Sequence, residues 1–333
     1  MSREERRFLA EAQPWGLIVF KRNIESPDQL RGLVSEFRAA VAHDAPVLVD
    51  QEGGRVQRLG APHWPSYPPG AAYGALYDLD RERGLAAAKL GGRLIAADLH
   101  PVGIDVDCLP LADVPAPGAD PVVGDRAYGT EPGKVAAIAA ALAQGLLDGG
   151  VLPVLKHIPG HGRATADSHR RLPVVATDRP TLDATDFAAF RPLAGLPLAM
   201  TAHVVFSALD PVAPATTSAA IVRDVIRDSI GFQGLLMTDD ISMGALSGSI
   251  AERSRAAIAA GCDIILHCNG RMAEMSEVAA SAPGVAGATA RRAASALAAR
   301  RAPAPFDIAA ARTQFRHLMV GVWQPAEGEA GEA

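Results

Sequence analysis

Seven short apolar runs, separated by longer amphipathic stretches, constrain this chain more than any other feature. The runs are Gly16–Phe20, Pro46–Asp50, Gly103–Leu109, Val151–His157, Leu196–His203, Gly234–Asp239 and Cys262–His267. Helical periodicity fills the intervals, for instance over Pro27–Ala42, Arg81–Leu99, Pro132–Asp148, Thr217–Ile230 and Ile250–Ala260. Ser26 followed by Pro27 and by Gln29 reads as a capping box, and Thr130 with Pro132 as a second helix start. Strands apolar on both faces that alternate with helices imply a parallel sheet covered by helices.

An open doubly wound sheet and a closed (β/α)8 barrel both satisfy that alternation, and the polar residues decide between them. Asp50, Asp107, Lys156 with His157, His203, Asp239 and His267 each fall at or just past the C-terminal end of a different run. A barrel gathers all its strand ends around one mouth, whereas an open sheet spreads them along an edge. The expectation is therefore an α/β chain folded as a single-domain (β/α)8 TIM-like barrel, although only seven strands can be counted. No low-complexity linker divides the chain, so residues 1–323 read as one catalytic barrel. Residues 324–333, rich in Glu, Gly and Ala, read as a disordered tail.

Composition narrows the function classes. The chain has 333 residues, 49% hydrophobic and 21% charged, as expected of a globular protein with ample core. A net charge of −5 gives no general affinity for nucleic acid or anionic membrane. Cys108, Cys262 and Cys268 lack metal-ligand spacing and read as reduced, packed thiols. The charged start has no apolar segment behind it, and Val135 to Leu147 is too short to span a bilayer, so a cytoplasmic location is expected.

Chemistry concentrates in three segments. The run from Lys156 through His157-Ile158-Pro159-Gly160-His161-Gly162 to Asp167-Ser168-His169 carries ionisable groups on a loop behind a buried strand. Pro159 and Gly160 stop the strand, and loops carried by rigid strands are where chemistry sits. Asp167, two residues before His169, can pair with the imidazole and raise its proton affinity, which suits a general acid. Taken alone, an Asp-x-His is as well explained by a solvated loop.

In Thr238-Asp239-Asp240-Ile241-Ser242, period-two alternation lets only one of the two carboxylates point inward, as nucleophile or acid. A helix N-cap is the competing explanation. The third segment, Asp50-Gln51-Glu52-Gly53-Gly54-Arg55-Val56-Gln57-Arg58, places a carboxylate at a strand end, able to accept from vicinal sugar hydroxyls. Its glycines allow a tight turn and match no phosphate-binding spacing. Arg126 sits on a further loop. His157 and His161 have the i, i+4 spacing of zinc helices, but the intervening Pro159 forbids that helix, and no metal or cofactor is expected. His203 and His267 read equally as cavity-lining or as satisfied core residues.

Together, Lys156-His157-x-Pro159-Gly160-His161-Gly162, Asp167-Ser168-His169, Thr238-Asp239-Asp240-Ile241-Ser242, Asp50 through Arg58 and Met200-Thr201-Ala202-His203-Val204-Val205 resemble family 3 glycoside hydrolases. The likeness spans most of the chain and is nearest the single-domain bacterial β-N-acetylhexosaminidases. It implies a (β/α)8 barrel and a retaining β-N-acetylglucosaminidase, with Asp239 as nucleophile, His169 as acid/base and Asp167 as its partner. It assigns Asp50, Arg58, Arg126, Lys156 and His157 to holding the N-acetylglucosamine (GlcNAc) unit. The substrate it implies is GlcNAc linked to 1,6-anhydro-N-acetylmuramic acid, in cytoplasmic peptidoglycan recycling. Relatives carry a further strand ahead of the equivalent of Gly16–Phe20, so the resemblance implies a barrel lacking its first strand. A monomer acting on a small-molecule sugar, with no nucleic-acid or membrane partner, is the expectation. A β-N-acetylglucosaminide phosphorylase and a non-catalytic sugar-binding protein are the rival functions.

Overall fold

The structure, a computed structural model, describes residues 1–325; most of the expected disordered tail, 326–333, lies outside the described residues. Seven strands form one sheet whose spatial order is the chain order. They are β1 (Leu17–Val19), β2 (Val47–Val49), β3 (Val106–Asp107), β4 (Leu152–Ile158), β5 (Leu198–Thr201), β6 (Leu235–Asp240) and β7 (Ile264–Leu266). Every neighbouring pair is parallel, and helices make most of the crossovers, as the alternation requires.

The sheet curls far enough to enclose an interior. Leu48, Val106, Cys108, Leu152, Val154, Leu198, Met200, Leu235 and Met237 pack there as one cluster, touched by Ile18 from β1 and Leu266 from β7. The opposite strand faces, including Val47, Val49, Leu155, Ala199 and Leu236, belong to a larger cluster shared with the helices. That double burial is why the strands read as continuous apolar runs. The eight-stranded closure expected from sequence is not seen among the described residues, since no ladder joins β1 to β7. Instead the side chain of Arg22 donates to the Cys268 carbonyl across that seam. Helix α1 (Arg3–Ala12) packs on α2 (Pro27–Val41) and on the helix Met272–Ser281, one from each side of it.

Two helix starts differ from expectation. Ser26 caps α2 through the Gln29 amide (3.2 Å), but the Gln29 side chain accepts from Glu25 (3.0 Å) rather than closing the reciprocal box. At the helix Pro132–Asp148 the cap is Glu131, whose two carboxylate oxygens reach the Gly133 and Lys134 amides, not Thr130. The expected helix over Thr217–Ile230 is wound as a π-helix over Ile221–Ser229, with Ile221, Val222, Val225 and Ile226 buried.

Candidate active site

The inward face of each strand runs apolar until its last residue and then turns polar. On β6, Leu235 and Met237 face the interior cluster, and the next inward position is Asp239. On β4, Leu152 and Val154 are followed by Lys156; on β2, Leu48 is followed by Asp50. Period two therefore fills the interior with hydrocarbon and delivers one ionisable group per strand to a shared mouth. Of the neighbouring pair, Asp239 continues the inward series. Asp240 instead accepts from the Ser242 amide (3.0 Å), the Ser242 hydroxyl (2.7 Å) and the Cys268 amide (3.1 Å).

A cavity of about 470 Å³ opens above these residues. Asp239, His169, Asp50, Arg58, Arg126, Lys156 and His157 all line it. Asp167 stands behind, its Oδ1 2.7 Å from His169 Nδ1, with the His169 imidazole largely exposed. Another cavity, about 560 Å³, lies elsewhere, between the helices Arg81–Leu99 and Pro132–Asp148 and the segment 301–306, and holds none of these residues.

The cavity wall near Asp50 is a chain of ion pairs. Lys156 Nζ lies 2.9 Å from Asp50 Oδ1 and 2.5 Å from Glu52 Oε1, and Glu52 takes both arms of Arg126 at 2.8 Å. Arg58 reaches Asp50 Oδ2 at 3.0 Å. Burial pushes the Asp50 carboxyl up, but Lys156 and Arg58 outweigh it and hold it far below the usual carboxylate range. Glu52 is held low in the same way by Arg126 and Lys156 against its burial. Burial works against the Lys156 ammonium, yet the two carboxylates keep it charged and its pKa raised. Gly53, at φ +94°, makes the turn that brings Arg58 back, and a Cβ there would lie 2.3 Å from the Pro68 carbonyl.

Asp239 is ionised for a comparable reason. Burial raises its pKa, but His157, His203, the Asp240 amide and Lys156 together bring it below the ordinary value. His157 is oriented by buried Asp113, whose Oδ2 lies 2.7 Å from its Nδ1. Asp113 is held at about 2, its burial outweighed by His157, His161 and the His161 amide. His203 donates from Nε2 to the Asp240 carbonyl (3.0 Å) and bonds the Thr216 hydroxyl through Nδ1 (2.7 Å). It is a satisfied core histidine behind Asp239, not a cavity-lining one. His267 also lies off the cavity, 3.1 Å from Glu274.

One strand end was assigned to the wrong residue. Asp107 does not reach the mouth; it is fully buried, accepts the Gln51 amide (2.9 Å), and burial pushes its carboxyl well up. The working carboxylate past β3 is Asp113, for which the sequence carries no signal, because Leu111 extends the pairing to Lys156 beyond the recognisable strand. Glu52, by contrast, stands two residues past Asp50, so the same alternation that marks Asp50 marks it. His161 bonds through Nε2 to Ser168 (3.0 Å) and is buried, which lowers its pKa to about 4.

A curled parallel sheet whose strand ends aim a buried-side carboxylate and a carboxylate-backed imidazole into one cavity is a glycoside hydrolase's equipment. Residues 1–292 match the family model of the glycosyl hydrolase family 3 N-terminal domain, and the chain belongs to that family. A β-hexosaminidase of Alkalilimnicola ehrlichii is 39% identical over 273 residues, 81% of this chain and 78% of the relative. One from Methylococcus capsulatus is 40% identical, over 81% of this chain and 80% of its own. Among solved structures, NagZ from Neisseria gonorrhoeae in complex with N-trifluoroacetyl-D-glucosamine superposes with a TM-score of 0.83 at 31% identity. That alignment covers 97% of this chain and 94% of the other.

Proposed function

We propose that this enzyme is a retaining β-N-acetylglucosaminidase that removes terminal β-linked GlcNAc through a glycosyl-Asp239 intermediate. The observation that carries the reading is that an ionised Asp239 and the Asp167–His169 pair line and back one cavity. The β-hexosaminidase names of its relatives supply the sugar class.

In the first step the Asp239 carboxylate attacks the anomeric carbon as the bond to the leaving oxygen breaks. His169 Nε2 gives its proton to that oxygen, while Nδ1–H stays bonded to Asp167. In the second step water attacks the same carbon, neutral His169 takes the water's proton, and the Asp239 ester bond breaks. Asp167 stabilises the imidazolium; its own carboxyl is raised by burial but lowered further by the His169 amide, the imidazole and Arg170. A histidine acid brings no like charge beside Asp239, which a second carboxylate would. Asp50, Arg58, Arg126, Lys156 and His157 hold the GlcNAc ring in this reading. Lys156 and Arg126 act as braces, since their charges are spent on Asp50 and Glu52.

The natural substrate in this reading is a muropeptide with GlcNAc on 1,6-anhydro-N-acetylmuramic acid, cleaved in the cytoplasm by a monomer whose residues 1–323 form one catalytic unit. No helix among the described residues is long and apolar enough to cross a membrane. Assay with 4-nitrophenyl β-N-acetylglucosaminide in phosphate and in phosphate-free buffer tests the activity. Free GlcNAc in both is expected. GlcNAc-1-phosphate would make the enzyme a phosphorylase, and no nitrophenol release would leave a sugar-binding protein.

A further inference from the structure

The His169 imidazole is largely exposed and has Asp167 as its side-chain partner, so packing does not fix where it stands. Its backbone does have a seat. Gly244 N–H donates to the His169 carbonyl (3.2 Å) and Ala245 N–H to the Ser168 carbonyl (3.0 Å). The buried Ser168 hydroxyl meets His161 Nε2 at 3.0 Å. A Cβ on Gly244 would lie 2.9 Å from the carbonyl oxygens of both His169 and Arg170, so the approach exists only because residue 244 is glycine.

The seat is itself rigid and begins at Asp239. Asp240 fastens the turn through Ser242, and Arg253 Nη1 donates to the Ile241 (3.1 Å) and Met243 (3.2 Å) carbonyls. At the other end of the loop, the Gly162 and Ala164 carbonyls accept from Ala116 and Asp120, and Arg163 pairs with Asp186 at 2.5 Å. His161 offers the loop one nitrogen and has no protein partner on the other.

We propose that Gly244 and Ala245, with the His161–Ser168 bond, are positioning residues that dock the acid/base loop onto the segment leaving the nucleophile's strand. The separation of the two catalytic groups is thereby set by the few residues between Asp239 and Ala245. The proposal rests on the acid/base role of His169. Displacing a catalytic group by roughly 1 Å costs about a hundredfold, so a loosened seat must show in the step that needs the acid.

The test uses Gly244→Val, the milder Gly244→Ala, Ser168→Ala and Ser168→Thr in the full chain. Turnover of a GlcNAc disaccharide, with its poor leaving group, should fall about tenfold or more in Gly244→Val. Turnover of 2,4-dinitrophenyl β-N-acetylglucosaminide should fall less than about threefold. Backbone amide exchange over residues 166–171 should quicken. Ser168→Ala should follow the same pattern, and Ser168→Thr should restore it. Unchanged exchange in Gly244→Val and Gly244→Ala, or equal losses on both substrates, overturns the proposal. If the wild type hydrolyses neither substrate, the assignment of His169 fails, while the exchange data still decide whether the seat exists.

Discussion

Oδ2 of Asp113 lies 2.7 Å from Nδ1 of His157, and Oδ1 of the same carboxylate accepts the His161 amide at 2.7 Å. One buried side chain thus orients a cavity-lining imidazole and pins the start of the loop that ends in His169. Asp113→Ala removes both and leaves buried donors unpaired. The expected cost is on the order of 3 kcal/mol in urea unfolding, with a fall in kcat larger than the rise in KM. A stability loss with unaltered kinetics would confine Asp113 to the fold.

His169→Ala should slow poor leaving groups by about 10² to 10⁴ and scarcely affect activated aryl glycosides, because only the former need a proton. A series of aryl β-N-acetylglucosaminides of graded leaving-group acidity reads this directly. Asp167→Asn should show the same slope with smaller loss.

Lys156→Met strips the charge that joins Asp50 to Glu52. With the ammonium buried and both carboxylates left facing each other, the loss should be on the order of 3 kcal/mol. It should shrink in a Glu52→Gln background, and a double-mutant cycle measures that coupling. Strict additivity would mean the 2.5 Å contact contributes nothing.

Burial lowers His161 to about 4 from the ordinary histidine value of 6.5. The unfolded chain therefore takes up this proton first as pH falls. Stability is complete above pH 6.5 and declines as pH falls toward 4, by on the order of 3 kcal/mol. His161→Asn should lose distinctly less between pH 7 and pH 4.5 by chemical denaturation. Parallel curves would place the titration elsewhere.

Sequence pattern reached the strands, their parallel pairing and most of the cavity, because one rule governs all three. Alternation on β2, β4 and β6 names Asp50, Lys156 and Asp239, and it separates Asp239 from Asp240. The Asp-x-His spacing names Asp167 and His169, which meet at 2.7 Å. The rule fails where the chain leaves the ladder. Asp107 sits at a strand end yet is buried away from the mouth, and Asp113 lies past the strand with no pattern to mark it. Closure was misjudged for a related reason: alternation counts strands but does not say whether the first and last pair. The seat at Gly244 and Ala245 works through backbone amides, which leave no trace in residue type.

The central claim, that Asp239 is the nucleophile, is tested most directly by trapping the glycosyl-enzyme. A 5-fluoro N-acetylglucosaminyl fluoride supplies a good leaving group while its ring fluorine slows the second displacement. Peptide mass spectrometry of the inactivated enzyme should find one sugar, ester-linked to Asp239. A label on Asp240 or another residue, or turnover with no covalent adduct and inverted anomeric product, would contradict the account.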